Sequence, residues 1–262
     1  MPANGPPDRQ GLQPLFDFAI TVLLWLYFTA GFVFFFAPFY LWAFLFADRR
    51  EKSFQRLNSR FYRGFFALNR VLIPAYRWRI PAAVKDIRSA VIVCNHRSYL
   101  DSILLISLYD RHNTIVKSRL FDIPFFGKML EWSGYIPSSS QGRLADTMIR
   151  RIEQMPAFLA AGGNLIVFPE GTRSPDGRIG RLNKGAFKIA RSCRAPVKVL
   201  FVRNTEKMFR PGSFSFDTRG PHTISLALIG SVDAAADRDT GSLPEVMERV
   251  RALLESQTSE EA

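Results

Sequence analysis

The chain has 262 residues, enough for one catalytic domain and a smaller appendage. Its formal net charge is +12, from 35 basic and 23 acidic residues, and it contains 24 phenylalanines. A basic, phenylalanine-rich chain without a recognisable RNA-binding aromatic motif favours an anionic membrane or a phosphorylated substrate over nucleic acid as its partner. The two cysteines, Cys94 and Cys193, lie in apolar contexts, so we expect packed thiols in a reducing compartment and not a disulfide framework.

The N-terminal part of the chain contains a long uncharged segment. Residues 1–13 are polar and rich in proline and glycine, which predicts a loose tail. Residues 18–47 contain no charged residue, and this run exceeds the ~20 residues that a helix needs to cross a hydrocarbon core. We expect membrane insertion and not a cleaved signal peptide, because no basic region precedes the run. Gly31 and Pro38 leave two alternatives: one tilted spanning helix, or two shorter helices bent near Pro38 that enter one leaflet.

A basic amphipathic helix is predicted over residues 49–72. Apolar residues recur at helical spacing along one side, and arginines occupy the other faces. After a membrane segment such a helix suits the headgroup layer, although the pattern also fits a helix packed on a catalytic domain, and both can hold. The positive charge on this side predicts that it faces the cytoplasm. We therefore divide the chain into residues 1–72, the tail and membrane-attached part, and residues 73–262, the catalytic domain.

From residue 76 onward, short apolar runs alternate with runs of helical spacing. This alternation predicts an α/β fold, a mixed sheet covered by helices, joined to the N-terminal membrane-embedded helical segment. The expected strands are residues 76–80, 90–94, 114–117, 164–168, 197–202 and 223–229, and the expected helices are residues 100–109, 144–161, 183–192 and 243–254. Residues 205–222 form a loop-rich insertion to which the sequence assigns no role.

The first chemical motif, NHRSYLD at residues 95–101, lies between a predicted strand and a predicted helix. In α/β sheets, sites are built at the carboxyl ends of strands. There His96 can act as a general base, and Asp101, on the first helical turn, can fold back and fix its tautomer. The same residues also fit a helix N-cap at Ser98. A second motif, FPEGTRS at residues 168–174, also follows an apolar strand and favours the catalytic interpretation.

Together the two motifs resemble those of the glycerolipid acyltransferase family, whose best-known members acylate lysophosphatidic acid. That family carries NHxxxxD, then a lysine with a downstream PxxG, then FPEGTRS, then a short strand with proline. The order and approximate spacing fit over residues 90–202. The matching positions are residues 95–101, Lys117 with Pro124 and Gly127, residues 168–174, and Pro196-Val197.

The resemblance implies transfer of a fatty acyl group from a thioester to the free hydroxyl of 1-acylglycerol 3-phosphate, which makes phosphatidic acid. It implies that His96 and Asp101 form the catalytic dyad and that Lys117 and Arg173 bind the phosphate. It also implies that Glu170 accepts a hydrogen bond from the acceptor's hydroxyl, although this residue could instead pair with a neighbouring arginine.

Gly171 permits a tight turn, and with Thr172 it completes the expected substrate-binding set. The chain has no GxSxG elbow, no metal-ligand spacing and no evident partner for either cysteine. We therefore expect direct attack on the thioester, without an acyl-enzyme, a metal or a cofactor. His112 and His222 are expected at the surface. The expected partners are a lysophospholipid acceptor, an acyl-CoA or acyl carrier protein donor and the membrane, with no nucleic acid.

Two departures from the family pattern leave the acceptor headgroup open. The last motif reads PVKV at residues 196–199, without the usual second proline, and residues 138–141 read SSSQ where many members carry an acidic residue and an arginine. Arg143 could supply the missing charge. The alternatives are an acyltransferase acting on glycerol 3-phosphate or another lysolipid, and a non-catalytic protein that binds anionic lipid. The paired motifs argue against the latter, because lipid binding alone does not require His96 with Asp101.

Overall fold

A computed structural model describes residues 9–139, 142–174, 177–233 and 242–259. Over these residues the protein forms one seven-stranded mixed sheet covered by helices, with a long helical segment at the N-terminus, as predicted. The strands are β1 (Tyr76–Arg79), β2 (Val91–Cys94), β3 (His112–Val116), β4 (Ile136–Pro137), β5 (Asn164–Val167), β6 (Pro196–Arg203) and β7 (His222–Asp233). The helices are α1 (Arg9–Leu26), α2 (Ala37–Phe46), α3 (Arg50–Leu72), α4 (Ala82–Lys85), α5 (Tyr99–Leu108), α6 (Phe126–Trp132), α7 (Ala145–Glu153), α8 (Met155–Ala160), α9 (Gly185–Ser192), α10 (Thr205–Met208) and α11 (Leu243–Ser259).

The order of the strands in the sheet is β1-β7-β6-β2-β5-β3-β4. The neighbouring strands β6, β2, β5, β3 and β4 run parallel, so their carboxyl ends lie along one edge. Strand β7 is antiparallel to β6 and parallel to β1, which makes the sheet mixed. Because β2 and β5 are direct neighbours, the loops that follow them lie side by side at an edge where α/β proteins build their sites.

Each face of the sheet has its own hydrophobic core. Alternate residues of a strand point to opposite faces, and β2 is buried along its whole length. Ile92 and Cys94 pack with α3 and α5 on one face, whereas Val91 and Val93 pack with α8, α9 and α11 on the other. Leu24 of α1 is fully buried in the first core, so the N-terminal helix is packed against the sheet domain.

The N-terminal segment is one continuous helical run. Helix α1 passes into a π-helical segment, Tyr27–Phe36, and then into α2. Residues Gln13–Phe46 form a helix that is, by length and composition, long and apolar enough to cross a membrane. Pro38 lies in the first turn of α2, directly after the π-helical segment. The wider π turn accommodates a residue that has no N–H donor and whose ring crowds the preceding turn, so the helical conformation continues through Pro38.

Helix α3 packs along this segment and is amphipathic, as predicted. Its buried side includes Phe54, Phe61 and Phe65. Tyr27 stacks on Phe61 with ring centroids 5.0 Å apart, and its hydroxyl donates to the Phe61 carbonyl at 2.7 Å. A Cβ atom on Gly64 would lie 2.3 Å from that hydroxyl, so a larger residue there would have to displace the Tyr27 side chain. The opposite side of the segment exposes large apolar side chains, including Phe34, Phe35, Trp42 and Phe46.

The prediction of a loose tail over residues 1–13 is wrong for its described part. Helix α1 begins at Arg9, and residues 1–8 lie outside the described residues. The Gln13 amide donates to Asp17 one turn later and to Thr218 of a distant loop, which anchors the first turns of the helix. A contact over such a sequence separation leaves no periodic signal in the tail itself.

The prediction of one continuous helix over residues 144–161 is also wrong. It divides at Gln154 into α7 and α8, because Pro156, in the first turn of α8, cannot continue the hydrogen-bond pattern of α7. Strand β4 and helix α6 were not predicted, since both are too short to show a period. Both cysteines are free, Cys94 buried and Cys193 half-buried, which confirms that they are packed thiols.

Candidate active site

The two predicted motifs meet at the carboxyl ends of β2 and β5. The backbone N–H of Ser174 donates to the carbonyl of His96 at 2.9 Å, and the N–H of His96 donates to Oε1 of Glu170 at 3.2 Å. Asn95, the first residue of the first motif, accepts a bond from the Val202 N–H at 2.7 Å and donates to the Val202 carbonyl at 3.0 Å. The motif is therefore bonded to the loop on one side and to β6 on the other.

His96 and Asp101 form the pair that the sequence predicted. Nδ1 of His96 lies 3.0 Å from Oδ2 of Asp101, and the Asp101 side chain is fully buried. Helix α5 begins directly between them, with Ser98 as its N-cap accepting from the Leu100 N–H at 3.2 Å. Asp101 Oδ2 also accepts from the Ser98 N–H at 2.7 Å and so closes a capping box. The cap and the dyad are thus one arrangement and not two exclusive alternatives.

The Asp101 carboxylate is held by four donors. Besides His96 and Ser98, the Arg97 N–H donates to Oδ2 at 2.6 Å, and the Thr205 hydroxyl donates to Oδ1 at 2.5 Å. Only an acceptor with two oxygens can take this set of donors. The carboxylate is therefore fixed in orientation before any substrate arrives, and it fixes the imidazole through Nδ1.

The ring of His96 is packed but remains accessible. Phe168 stacks on it with centroids 4.2 Å apart and planes 26° apart, and 15% of the side chain is exposed. In the part of the chain that the structure describes, Nε2 has no hydrogen-bond partner. Because Asp101 accepts from Nδ1–H, the neutral ring carries its free lone pair on Nε2. That nitrogen is available to a substrate hydroxyl.

Glu170 joins the two motifs through its carboxylate. Oε1 accepts from the His96 N–H, and Oε2 accepts from the Gly180 N–H at 3.1 Å. The side chain is largely buried, and burial raises the pKa of the Glu170 carboxyl, with the N–H groups of Gly180 and His96 opposing the rise. Each oxygen retains a second lone pair. The contact of Glu170 with an acceptor hydroxyl stays a prediction.

The loop that follows Glu170 makes a tight turn. Gly171 has φ +69°, a left-handed conformation that favours glycine, and its N–H donates to the Phe168 carbonyl at 3.0 Å. Asn183 closes the turn with two bonds to the Pro169 carbonyl, from its N–H at 2.7 Å and from its side chain at 2.9 Å. Thr172 is exposed and forms no hydrogen bond within the described ranges. The turn presents the following residue, Arg173, at the site edge.

Arg173 stacks on an aromatic residue of the first motif. Its guanidinium carbon lies 3.5 Å from the centroid of the Tyr99 ring. Nη1 is buried and has no acceptor among the residues described. A buried N–H group without a partner is unusual and costs about 1–3 kcal/mol. The guanidinium thus retains donor capacity that the protein itself does not use.

Lys117 directly follows β3, which lies beside β5 in the sheet, and its side chain is exposed. It therefore lies at the same edge as the loop that carries Arg173, as expected from the strand-end positions. Arg143 pairs with Asp122 at 2.6 Å on the surface. Of the PxxG pair, Gly127 shapes the backbone, because a Cβ atom there would lie 2.0 Å from the Phe121 carbonyl oxygen.

Two residues of the site were not predicted in these roles, Thr205 and Tyr99. Thr205 opens the insertion whose role the sequence left unassigned, and it is fully buried against Asp101. The Phe209 carbonyl, in the same insertion, accepts from Ser98 Oγ at 2.8 Å. No local pattern could have revealed these contacts. The position of Tyr99 inside the first motif was the only available signal for that residue.

The same insertion continues along helix α1. The Phe216 N–H donates to Thr21 Oγ1 at 2.9 Å, and the Trp25 indole N–H donates to the Phe214 carbonyl at 3.1 Å. The Phe214 ring stacks on Trp25 with centroids 5.5 Å apart. The insertion therefore contacts both the dyad and the N-terminal helix.

The expectation that His112 lies at the surface is wrong. It is the first residue of β3 and is fully buried, with Nδ1 2.7 Å from the Tyr109 carbonyl and Nε2 2.8 Å from the Tyr135 hydroxyl. Burial lowers the pKa of His112 to about 4, so its ring is neutral at pH 7. The polar neighbours of His112 in the sequence suggested a loop, whereas the strand begins at the histidine itself. His222 is half-buried at the start of β7.

Comparisons with known proteins agree with this arrangement. Residues 77–202 match the family model described as Acyltransferase. The chain is 34% identical over 123 residues to 1-acyl-sn-glycerol-3-phosphate acyltransferase BAT2, chloroplastic, of Brassica napus, covering 47% of this chain and 35% of that protein. It is 31% identical over 126 residues to the 1-acyl-sn-glycerol-3-phosphate acyltransferase of Saccharomyces cerevisiae, covering 46% of this chain and 41% of that protein. The match thus spans well under half the length of these relatives.

The fold is also that of a solved structure. The 1-acyl-sn-glycerophosphate (LPA) acyltransferase PlsC from Thermotoga maritima superposes with a TM-score of 0.69 over 94% of this chain and 97% of that chain, at 22% sequence identity. The shared fold extends beyond the family match into the N-terminal helices. Residues 77–202, which match that family model, carry both motifs at the carboxyl ends of neighbouring strands.

Proposed function

We propose that this protein transfers a fatty acyl group from an acyl thioester to the free hydroxyl of 1-acylglycerol 3-phosphate, making phosphatidic acid. One observation carries the proposal: the His96–Asp101 pair lies beside the loop that contains Arg173. A candidate base and a cation therefore lie at the same edge of the sheet. The activity named for the curated relatives supports it. Glycerol 3-phosphate and other lysolipids are the alternative acceptors.

His96 acts as the general base. Nε2 takes the proton of the acceptor's hydroxyl as that oxygen attacks the thioester carbonyl carbon and forms the new C–O bond. The imidazolium that results is stabilised by Asp101 through Nδ1. The tetrahedral intermediate then collapses, the C–S bond breaks, and the leaving sulfur receives the proton from the imidazolium. The products are the ester and the free thiol of coenzyme A or acyl carrier protein, without an acyl-enzyme.

Arg173 and Lys117 bind the phosphate of the acceptor in this proposal. The planar fork of Arg173 suits a bidentate contact, whereas Lys117 contributes a point charge from the neighbouring strand end. Glu170 places the two motifs relative to each other and offers its remaining lone pairs to the acceptor hydroxyl. Gly171 and Thr172 line the turn that the headgroup contacts.

We also propose that Gln13–Phe46 attaches the enzyme to a membrane, with residues 73–262 as the catalytic domain on its cytoplasmic face and residues 1–72 as the attached part. The exposed phenylalanines of this helix and the arginines of α3 support attachment to an anionic bilayer. A lysophospholipid acceptor would then reach the site from the lipid phase.

The test is an assay of the full-length protein in detergent against a panel of lysolipids, with acyl-CoA and acyl carrier protein donors. We expect His96→Ala to lose roughly 10²–10⁴-fold in kcat, the contribution of a positioned base. Asp101→Asn should also be severely impaired, because an amide cannot accept from all four donors. Circular dichroism confirms folding. Folded His96→Ala protein with a wild-type rate would falsify the dyad.

A further inference from the structure

Tyr99 lies inside the first motif, but the proposed reaction gives it no task. It is the first residue of α5, and 53% of its side chain is exposed. The guanidinium carbon of Arg173 lies 3.5 Å from the ring centroid, well within the ~6 Å over which a cation is attracted to an aromatic face. This contact joins a side chain of the motif after β2 to one of the motif after β5.

The Tyr99 ring is itself supported by a second aromatic residue. Phe209 lies with its ring centroid 6.3 Å from that of Tyr99, at an interplanar angle of 54°. Phe209 is buried, stacks on Phe216 at 4.6 Å, and accepts the bond from Ser98 Oγ through its carbonyl. Phe209 therefore contacts both the N-cap of α5 and the Tyr99 ring. These contacts fix the position of the ring on which Arg173 stacks.

Stacking on a ring leaves the donors of Arg173 free. The five N–H groups of a guanidinium lie in its plane, and an aromatic face engages none of them. A carboxylate partner would instead occupy two donors and cancel the charge. Within the described residues Arg173 has no carboxylate partner, and its buried Nη1 lacks an acceptor. The guanidinium of this half-buried side chain is thus held by one face, while its charge is not cancelled and its N–H donors have no acceptor among the described residues.

We propose that Tyr99 is a positioning residue that sets the acceptor specificity of the site: it holds the Arg173 guanidinium by one face so that its N–H edge binds a phosphate dianion. The inference rests on the proposed function and deepens it, since it assigns preference for a phosphate-bearing acceptor to a residue outside the dyad. The ring also removes water from one face of the cation, which strengthens its interaction with an anion.

The experiment compares Tyr99→Phe and Tyr99→Leu in the full-length protein, on lysophosphatidic acid and on an uncharged monoacylglycerol. Tyr99→Phe keeps the aromatic face and should retain wild-type kcat/KM. Tyr99→Leu should lose about 3- to 30-fold in kcat/KM on lysophosphatidic acid, mainly through KM, which corresponds to ~0.7–2 kcal/mol for a cation–π contact. The loss on monoacylglycerol should be under about 2-fold, and the pH profile of kcat should not move, because Tyr99 does not contact His96.

Equal losses on both acceptors, or no loss in Tyr99→Leu, overturn the inference while leaving the transferase in place. If the wild-type protein acylates no lysolipid, the proposed function fails instead. In that case the dissociation constant of glycerol 3-phosphate, measured by calorimetry on wild type and Tyr99→Leu, decides the matter. Weaker binding in Tyr99→Leu with retention in Tyr99→Phe supports the role of the ring, and equal or undetectable binding in all three proteins overturns it.

Discussion

The hydroxyl of Thr205 donates a hydrogen bond to Oδ1 of Asp101 at 2.5 Å, and both side chains are buried. His96 uses the other carboxylate oxygen, so Thr205 and His96 hold the two ends of one group. If the Thr205 hydroxyl were removed, the buried Oδ1 atom of Asp101 would lose this hydrogen-bond donor. Thr205, which belongs to neither motif, thus supports the Asp101 carboxylate.

We expect Thr205→Val to lower kcat roughly 10-fold or more with little change in KM, because a hydrogen bond to a charged group contributes ~1.5–3 kcal/mol and 1.4 kcal/mol is one decade. Thr205→Ser keeps the hydroxyl and should restore most of the rate. Steady-state kinetics on the three proteins provide the measurement. Equal activity of the valine and serine variants would show that the hydroxyl does not support Asp101.

Arg173→Lys keeps the positive charge but loses the planar fork and its stacking on Tyr99. We expect kcat/KM on lysophosphatidic acid to fall roughly 10–150-fold, from the loss of ~1.5–3 kcal/mol in one charged hydrogen bond. The loss on uncharged monoacylglycerol should be much smaller. Arg181→Lys, at an exposed position outside both motifs, is the matched control and should behave as wild type. Equal proportional losses on the two acceptors would make Arg173 structural or donor-binding.

Attachment to the membrane can be tested on the exposed side of the N-terminal helix. Phe35 and Trp42 are 71% and 62% exposed, so replacing both by glutamate removes no core packing. A charge in a membrane-embedded helix costs ~2.5–3.5 kcal/mol, and the double variant should shift toward the soluble fraction after a high-salt wash. Ile149→Glu, at an exposed position of α7, is the control and should stay with the membrane. Wild-type protein that is soluble without detergent would refute insertion.

Deleting the first 47 residues is a poorer test than these substitutions. Ile20 and Leu24 of α1 are buried in the core that also contains β2, so the deletion would expose apolar surface and destabilise the domain. Loss of solubility after such a deletion would carry no information about the bilayer.

The buried His112 predicts a pH dependence of stability. Its pKa is lowered to about 4 by burial, against 6.5 for an ordinary histidine, so between these pH values the unfolded state binds more protons. The stability contributed by the neutral ring is fully present above pH 6.5 and is lost progressively as the pH falls toward 4. Between pH 6.5 and 4 the free energy of unfolding falls by about 3 kcal/mol. Thermal melting of wild type and His112→Gln between pH 7 and 4.5 should show a steeper decline for wild type. Parallel curves would exclude His112 as the cause.

The positions of His96 and Arg173 could be predicted because each motif directly follows a short apolar run, and such runs identify buried strands. The adjacency of the two loops is a finding of the structure, given by the pairing of β2 with β5. The contacts of Thr205 could not be predicted, because they join residues 104 positions apart and depend on packing that has no period. The surface position predicted for His112 was wrong for a related reason. Strand β3 begins with polar residues, which locally fit a loop, and only its pairing with β5 identifies it as a buried strand.

The segment between α10 and β7 is bonded to α1 at Thr21 and Trp25, and α10 begins at Thr205, whose hydroxyl holds Asp101. One short stretch of chain thus touches both the helix proposed to lie in lipid and the carboxylate of Asp101. A detergent that separates α1 from this stretch acts on the support of Asp101 as well as on solubility. The choice of detergent therefore affects the proposed active site, and we expect any activity lost on extraction to follow first from displacement of α1.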